Sequence, residues 1–346
     1  MSNKEYTFSI IVPVYNTEKY IEKCLQSILD AIKEDCEVII VNDGSTDNSK
    51  EKIMNFINKL PERIKNNFVY TEKKNKGLAD TKNVGLKLSH GKFISVVDSD
   101  DYISDDFYSI ARKYINDYDV IIYDVYVVFE KSHTLNYVSR AKSDWKEDDF
   151  AAILNGAISG SSCNKIIKKE LYNGHTFPVG KQYEDTAVTP FILSETKKIK
   201  YVPYPMYYYL QREKSIVATN TLMSAFYKIC ENISEVIRQK NGDMEKYKYV
   251  INEFIADRML DMLSQDCMEN KKEFLKNIQE LAVKNKEVID YILDSDMLNN
   301  VENHYSERQK KVVNKILIDL RNSEYIKVKK LLVTRELVNK FRKVIK

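Results

Sequence analysis

At 346 residues the chain is long enough for two or three folded units, and 43% hydrophobic residues supply sizeable cores. Charged residues reach 30%, yet the net charge is only +3, which excludes a global basic field directed at nucleic acid. No window of about 18 uncharged apolar residues suggests a membrane span, and the polar Met1–Tyr6 segment does not read as a secretory signal.

Phe8 to Val14 is a short apolar, β-branched run that predicts a buried strand. Thr17 is placed to cap a helix with apolar positions Ile21, Cys24, Leu25, Ile28 and Ile32. Glu37 to Asn42 reads as a second strand, ending in Asp43-Gly44-Ser45. A second helix carries Ile53, Phe56, Ile57 and Leu60 on one face, and Phe68 to Glu72 reads as a third strand. Gly77 to Ser89 reads as a helix, Phe93 to Val97 as a fourth strand, Asp105 to Asn116 as a helix and Val120 to Phe129 as a long strand. Strands alternating with helices imply an α/β fold with a mainly parallel, helix-covered sheet. Ligands of such sheets lie at the carboxyl ends of the strands, where Asp43, Asp98 and Asp100 collect.

From about Asp148 to Leu210 the pattern is mixed, and after about Ile216 it is helical. The five cysteines form no C-x-x-C pair, which fits a reducing compartment and thiols used as small apolar side chains. The four histidines show no metal-ligand spacing.

Five segments stand in a telling order along the chain: SIIVPVYN, VNDGSTDNS, NKGLADTKNVGL, FISVVDSDD and YEDTAVTPF. Together they resemble the family 2 glycosyltransferases, over roughly residues 6 to 216. The resemblance implies a glycosyltransferase A fold over residues 1–216, with a nucleotide-binding part at 1–130 and an acceptor part at 131–216. Residues 217–346 are expected to form a helical C-terminal domain. It also implies an inverting transfer from a nucleotide-diphosphate donor, with a UDP-sugar expected, to a hydroxyl acceptor. That acceptor would belong to a surface polysaccharide, teichoic acid or glycoprotein glycan, on a lipid or a protein carrier.

Two carboxylates two residues apart, Asp98 and Asp100, make a hard-oxygen site suited to Mg²⁺ or Mn²⁺. The resemblance gives Asp100 the main metal contact and Asp98 a ribose contact, with Ser99 between them. It gives Asp43 the uracil ring, and Pro13, Val14, Tyr15 and Asn16 the walls of the same pocket. Asn75, Lys82 and Asn83 lie around the next loop and helix. Lys82-Asn83 replaces a usual Arg-Asn, keeping the charge for a phosphate but losing the bidentate fork. By resemblance Asp185 is the base that takes the acceptor proton, with Glu184 positioning it. Arg212 and Ser215 fall where related chains close over the diphosphate. Cys163 stands where an aromatic residue is common, which implies a different acceptor pocket.

Residues 308–346 hold thirteen basic and three acidic residues, a net +10 that leaves −7 for the rest. Val312, Val313, Ile316, Leu317 and Leu320 share a helical face, and Leu337, Val338, Phe341, Val344 and Ile345 suggest another. Such a region can lie on an anionic membrane surface or pack on a neighbour or second subunit. A cytoplasmic enzyme is the expectation, with a peripheral position on the inner face of the membrane as the alternative to helix packing or subunit contact. Two alternatives are a nucleotidyltransferase, whose glycine- and arginine-rich phosphate loop is missing after the first strand, and a non-catalytic sugar-binding scaffold.

Overall fold

The computed structural model describes residues 5–132, 134–138, 160–212, 222–301 and 305–344, with the backbone alone at 137–138, 222–223 and 336–344. The chain divides into two compact units, Met1–Ala218 and Thr219–Lys346.

In the first unit, β1 (Phe8–Val14) and β2 (Cys36–Asn42) are buried along their whole length. Continuous apolar runs suit central parallel strands covered on both faces. The connecting helices are α1 (Ile21–Ala31), α2 (Ser49–Asn58) and the single turn α3 (Glu62–Lys65). After β3 (Phe68–Glu72) come α4 (Leu78–Leu88) and β4 (Phe93–Val96), giving a parallel order β3-β2-β1-β4. Helix α1 buries Ile21, Cys24, Leu25 and Ile28 as its spacing predicts, with Ala31 in the last place and Ile32 at the C-cap. Thr17 is not its cap: Tyr20 holds that position, and the Thr17 carbonyl accepts from the Tyr20 and Ile21 amides. Helix α4 lies on β1 because residue 85 is glycine; a Cβ there would stand 2.3 Å from Ile11 Cγ2.

Beyond β4 the sheet turns mixed. The remaining elements are β5 (Tyr102–Ile103), α5 (Phe107–Ala111), β6 (Val120–Phe129), β7 (Leu135–Val138), β8 (Lys165–Lys168), α6 (Thr189–Glu195) and β9 (Ile199–Gln211). Strand β8 runs antiparallel between β4 and β6, and β9 runs parallel to β6 and antiparallel to β5. Among the described residues the sheet has nine strands, in the order β3-β2-β1-β4-β8-β6-β9-β5 with β7 on β6. The helix expected over Asp105–Asn116 is cut to α5, and β5, β7, β8 and β9 emerge from segments with no clear period. Strand β9 contains Pro203 and Pro205, and it tolerates them through a register shift opposite Tyr123 and Asp124.

The second unit is helical throughout its described length. Helices α7 (Leu222–Gln239) and α8 (Lys248–Ile251) are followed by a π turn at Asn252–Ala256 that leads into α9 (Asp257–Glu269). Then come α10 (Phe274–Lys284), α11 (Lys286–Asp294), α12 (Met297–Asn300), α13 (Glu307–Arg321) and α14 (Tyr325–Val344). Helix α13 opens with a capping box in which Ser306 and Gln309 bond reciprocally. Its stripe Val313, Ile316, Leu317 and Leu320 is buried, in a helix that packs on α11 and α14. That stripe is therefore core and is not offered to a membrane. The side chains of Leu337, Val338, Phe341, Val344 and Ile345 lie outside the described residues.

Candidate active site

Parallel strands β1, β2 and β4 end at one edge of the sheet, and the loops after β1 and β2 are bonded to each other. Pro13 and Val14 are buried at the end of β1, Tyr15 is 49% exposed, and Asn16 takes a left-handed φ of 51°. The Val14 carbonyl accepts from the Asp43 amide at 2.8 Å. Asn16 Oδ1 accepts from the Thr46 amide at 2.8 Å, and Ser45 Oγ accepts from the Asn16 amide at 3.0 Å. Asp43 is buried and takes the amides of Lys76 and Gly77 at 2.9 and 2.8 Å. Lys73 closes the site with ion pairs to Asp43 and Asp80. Gly77 donates to Asp43 from a φ of 89°, a conformation that favours glycine, and starts α4 from there. Asn75 is exposed in the loop just before it.

The acidic cluster after β4 is a turn, closed by the Asp101 amide on the Asp98 carbonyl at 2.9 Å, and not the extended segment that the two-residue spacing suggests. Asp101 is buried and anchored to β9: it accepts from the Tyr207 hydroxyl at 2.7 Å and the Leu210 amide at 2.7 Å. The Tyr207 oxygen in turn accepts from the Asp98 amide at 3.1 Å. Ser99 is buried within this turn. Arg212, just past β9, pairs with Asp100 and lies 5.1 Å over the ring of Tyr20, whose hydroxyl donates to Glu130 at 2.5 Å. Burial pushes the Asp98 carboxyl well above the usual carboxylate range; Lys82 opposes the shift, and Asp100, Asp185 and Glu184 add to it. Ser215 lies outside the described residues.

Glu184 and Asp185 open a short 3₁₀ turn, set by Tyr183 at a left-handed φ of 58°. Lys82, on α4, is 2% exposed and reaches Glu184 Oε1 at 2.8 Å and Asp185 Oδ1 at 2.6 Å. Its Nζ also donates to Ser162 Oγ at 3.3 Å. Ser162, just before β8, gives its amide to Asp185 Oδ2 at 3.1 Å and its hydroxyl to the same carboxylate at 3.0 Å. Burial works against the Lys82 charge, but Asp185, Glu184 and Asp98 outweigh it and hold the ammonium well above its ordinary pKa. Lys82 is thus neither a solvated lysine nor a free arm above the site.

Asn83 is engaged on both sides of its amide by the Phe177 backbone, at 2.8 and 3.0 Å. It holds the segment leading to the Glu184–Asp185 turn. Next to Ser162, burial and the acids Asp98 and Asp101 push the Cys163 thiol up to about 12. Sequence reading missed Ser162, Tyr207, Lys73 and the anchoring role of Asp101. The only signal for Asp101 was its place in the acidic run.

The sequence profile of glycosyl transferase family 2 matches residues 9–175. The glycosyltransferase GlyG of Streptococcus pneumoniae is 30% identical over 248 residues, 66% of this chain and 79% of GlyG. EpsH of Bacillus subtilis is 28% identical over 274 residues, 76% of each chain. Residues 1–349 of Staphylococcus aureus TarS, crystallised with UDP-GlcNAc, superpose with a TM-score of 0.70 at 22% identity, covering 96% of this chain and 92% of that one. TarS is described as a poly(ribitol-phosphate) β-N-acetylglucosaminyltransferase, and the sequence match spans 41% of its full length. The first unit has the glycosyltransferase A fold. The chain belongs to glycosyltransferase family 2, which sets aside the nucleotidyltransferase reading.

Proposed function

We propose that the chain transfers a sugar, with inversion, from a UDP-sugar to a hydroxyl of a cell-surface glycan or teichoic acid polymer. The observation that carries this reading is the placement of Asp185, partly exposed and tied by Lys82 and Ser162, within electrostatic reach of the Asp98–Asp100 turn. Tyr15, Asn16 and Asp43 frame the space for the nucleoside. Arg212 neutralises charge on the departing diphosphate. Asp185 takes the acceptor proton as the bond from the sugar to the phosphate breaks, through an oxocarbenium-like transition state.

Among the described residues no three metal-ligating side chains converge. Asp98 and Asp100 fit a Mg²⁺ or Mn²⁺ ion completed by substrate oxygens, since such ions are held by one or two carboxylates plus phosphates. Burial raises Asp98 and repulsion from Asp100 adds to it, and a cation at that point would relieve that repulsion. When bound, the ion supplies charge neutralisation for the leaving diphosphate. TarS 1–349 has been crystallised with UDP-GlcNAc and with UDP, which makes UDP-GlcNAc the first donor to try for the N-acetylhexosaminyl or hexosyl transfer proposed.

UDP release with UDP-GlcNAc and other donors, with and without Mn²⁺, tests the reading. Asp185→Asn should bind UDP as the parent does, with the same Mn²⁺-dependent thermal shift, and lose about 10²- to 10⁴-fold in kcat. Full turnover by this variant removes Asp185 as the base, and no turnover by the parent with any donor leaves the scaffold reading in its place. We further place the enzyme in the cytoplasm, held at an anionic membrane face by exposed basic side chains of α13 and α14. Among the described residues no helix is long and apolar enough to cross a membrane.

A further inference from the structure

A lysine ammonium has three N–H groups, and all three of Lys82 are directed inward. They go to Glu184 Oε1 at 2.8 Å, Asp185 Oδ1 at 2.6 Å and Ser162 Oγ at 3.3 Å. The ring of Phe177 lies 5.3 Å from the same nitrogen. With its donors occupied and 2% of its side chain exposed, this lysine has nothing left for a phosphate oxygen. We propose that Lys82 is a positioning residue for Asp185, with Ser162 as a second clamp, and that it is not a ligand of the donor diphosphate. The proposal rests on Asp185 being the base.

The geometry gives the clamp a definite effect. Asp185 Oδ1 faces the Lys82 ammonium, while Oδ2 is fixed by the Ser162 amide at 3.1 Å. A carboxylate has about four lone-pair sites, so it still has room to accept from an acceptor hydroxyl. Its side chain is 22% exposed, which leaves it a route to that hydroxyl. Glu184, Asp185 and Asp98 act on one another here, and Lys82 attracts all three. Lys82 therefore offsets the repulsion among them and holds the orientation of Asp185, and without it Oδ1 loses the partner that fixes it.

The test uses the full chain and the variants Lys82→Met, Lys82→Arg and Ser162→Ala. UDP affinity is read by calorimetry with Mn²⁺, and kcat and donor KM separately by UDP release. Lys82→Met should bind UDP within about twofold of the parent and lose turnover. The loss should fall on kcat by about tenfold or more, with the donor KM little changed. Lys82→Arg, which keeps the charge, should recover part of that turnover. A tenfold loss of UDP affinity in Lys82→Met, or parental kcat with it, overturns the proposal. If Lys82→Met does not fold, Ser162→Ala decides: reduced kcat with intact UDP affinity supports the clamp, and unchanged kcat refutes it. Full activity in Asp185→Asn would instead sink the base assignment itself, a separate result.

Discussion

Asp101 shows a carboxylate spent wholly on architecture. Its partners Tyr207 and Leu210 both lie on β9, more than 100 residues away in sequence. Tyr207→Phe leaves a buried carboxylate oxygen and the Asp98 amide without their partner. The expected loss is about 1–3 kcal/mol, measured by urea unfolding, together with weaker UDP binding. Cys163 makes the opposite case, a side chain that stays inert in a reactive setting. Its thiol is pushed up to about 12 by burial and by neighbouring acids, so it stays protonated at neutral pH. Iodoacetamide should label it slowly at pH 7 in the folded chain, and faster only as pH approaches that value. Fast labelling at pH 7 would show that the thiol is not held protonated by its surroundings. The acids were legible in the sequence because each ends a strand or opens a turn, where charge has no place in a core. Ser162 and Tyr207 were not, because a serine or tyrosine declares nothing until a distant partner is brought to it.

Helix α4 shows how one element serves two ends. Gly85 lets it press on β1, while Lys82 and Asn83, one turn earlier, fix the Glu184–Asp185 turn and the Phe177 backbone. Gly85→Val drives a side chain into Ile11 and should cost about 1–3 kcal/mol. Because the displaced helix carries Lys82, turnover should fall as well, even at temperatures where the variant stays folded. Retained stability with parental turnover would show that the helix shifts freely. The parallel half of the sheet could be read from sequence because its strands are buried on both faces and its helices keep one apolar stripe. The second half could not. Strand β9 breaks its pattern with Pro203 and Pro205, and β8 is a short reversed strand paired on both sides.

Across the whole chain, charge is segregated: residues 308–346 carry a net +10 and the remainder −7. With the α13 stripe buried, any membrane contact must come from outward side chains. Lys311, Lys327 and Lys330 are exposed, as are Ile326 at 62% and Val333 at 36%. Charge reversal of Lys311, Lys327 and Lys330 should abolish cosedimentation with vesicles containing anionic lipid without lowering Tm. The parent's binding should weaken as salt is raised. Equal sedimentation of parent and variant would exclude a membrane role for these side chains. Removing the chain from Arg308 onward is a poorer test, because it would take Val313, Ile316, Leu317 and Leu320 out of a core.

The bond from the Leu210 amide to Asp101 also acts as a ruler. It pins the backbone two residues before Arg212, so the guanidinium can travel only as far as its own side chain allows. Whatever anion draws it away from Asp100 must come to rest within that radius of the acidic turn. A single residue inserted between the two would lengthen that tether and move the arginine out of register with Asp100.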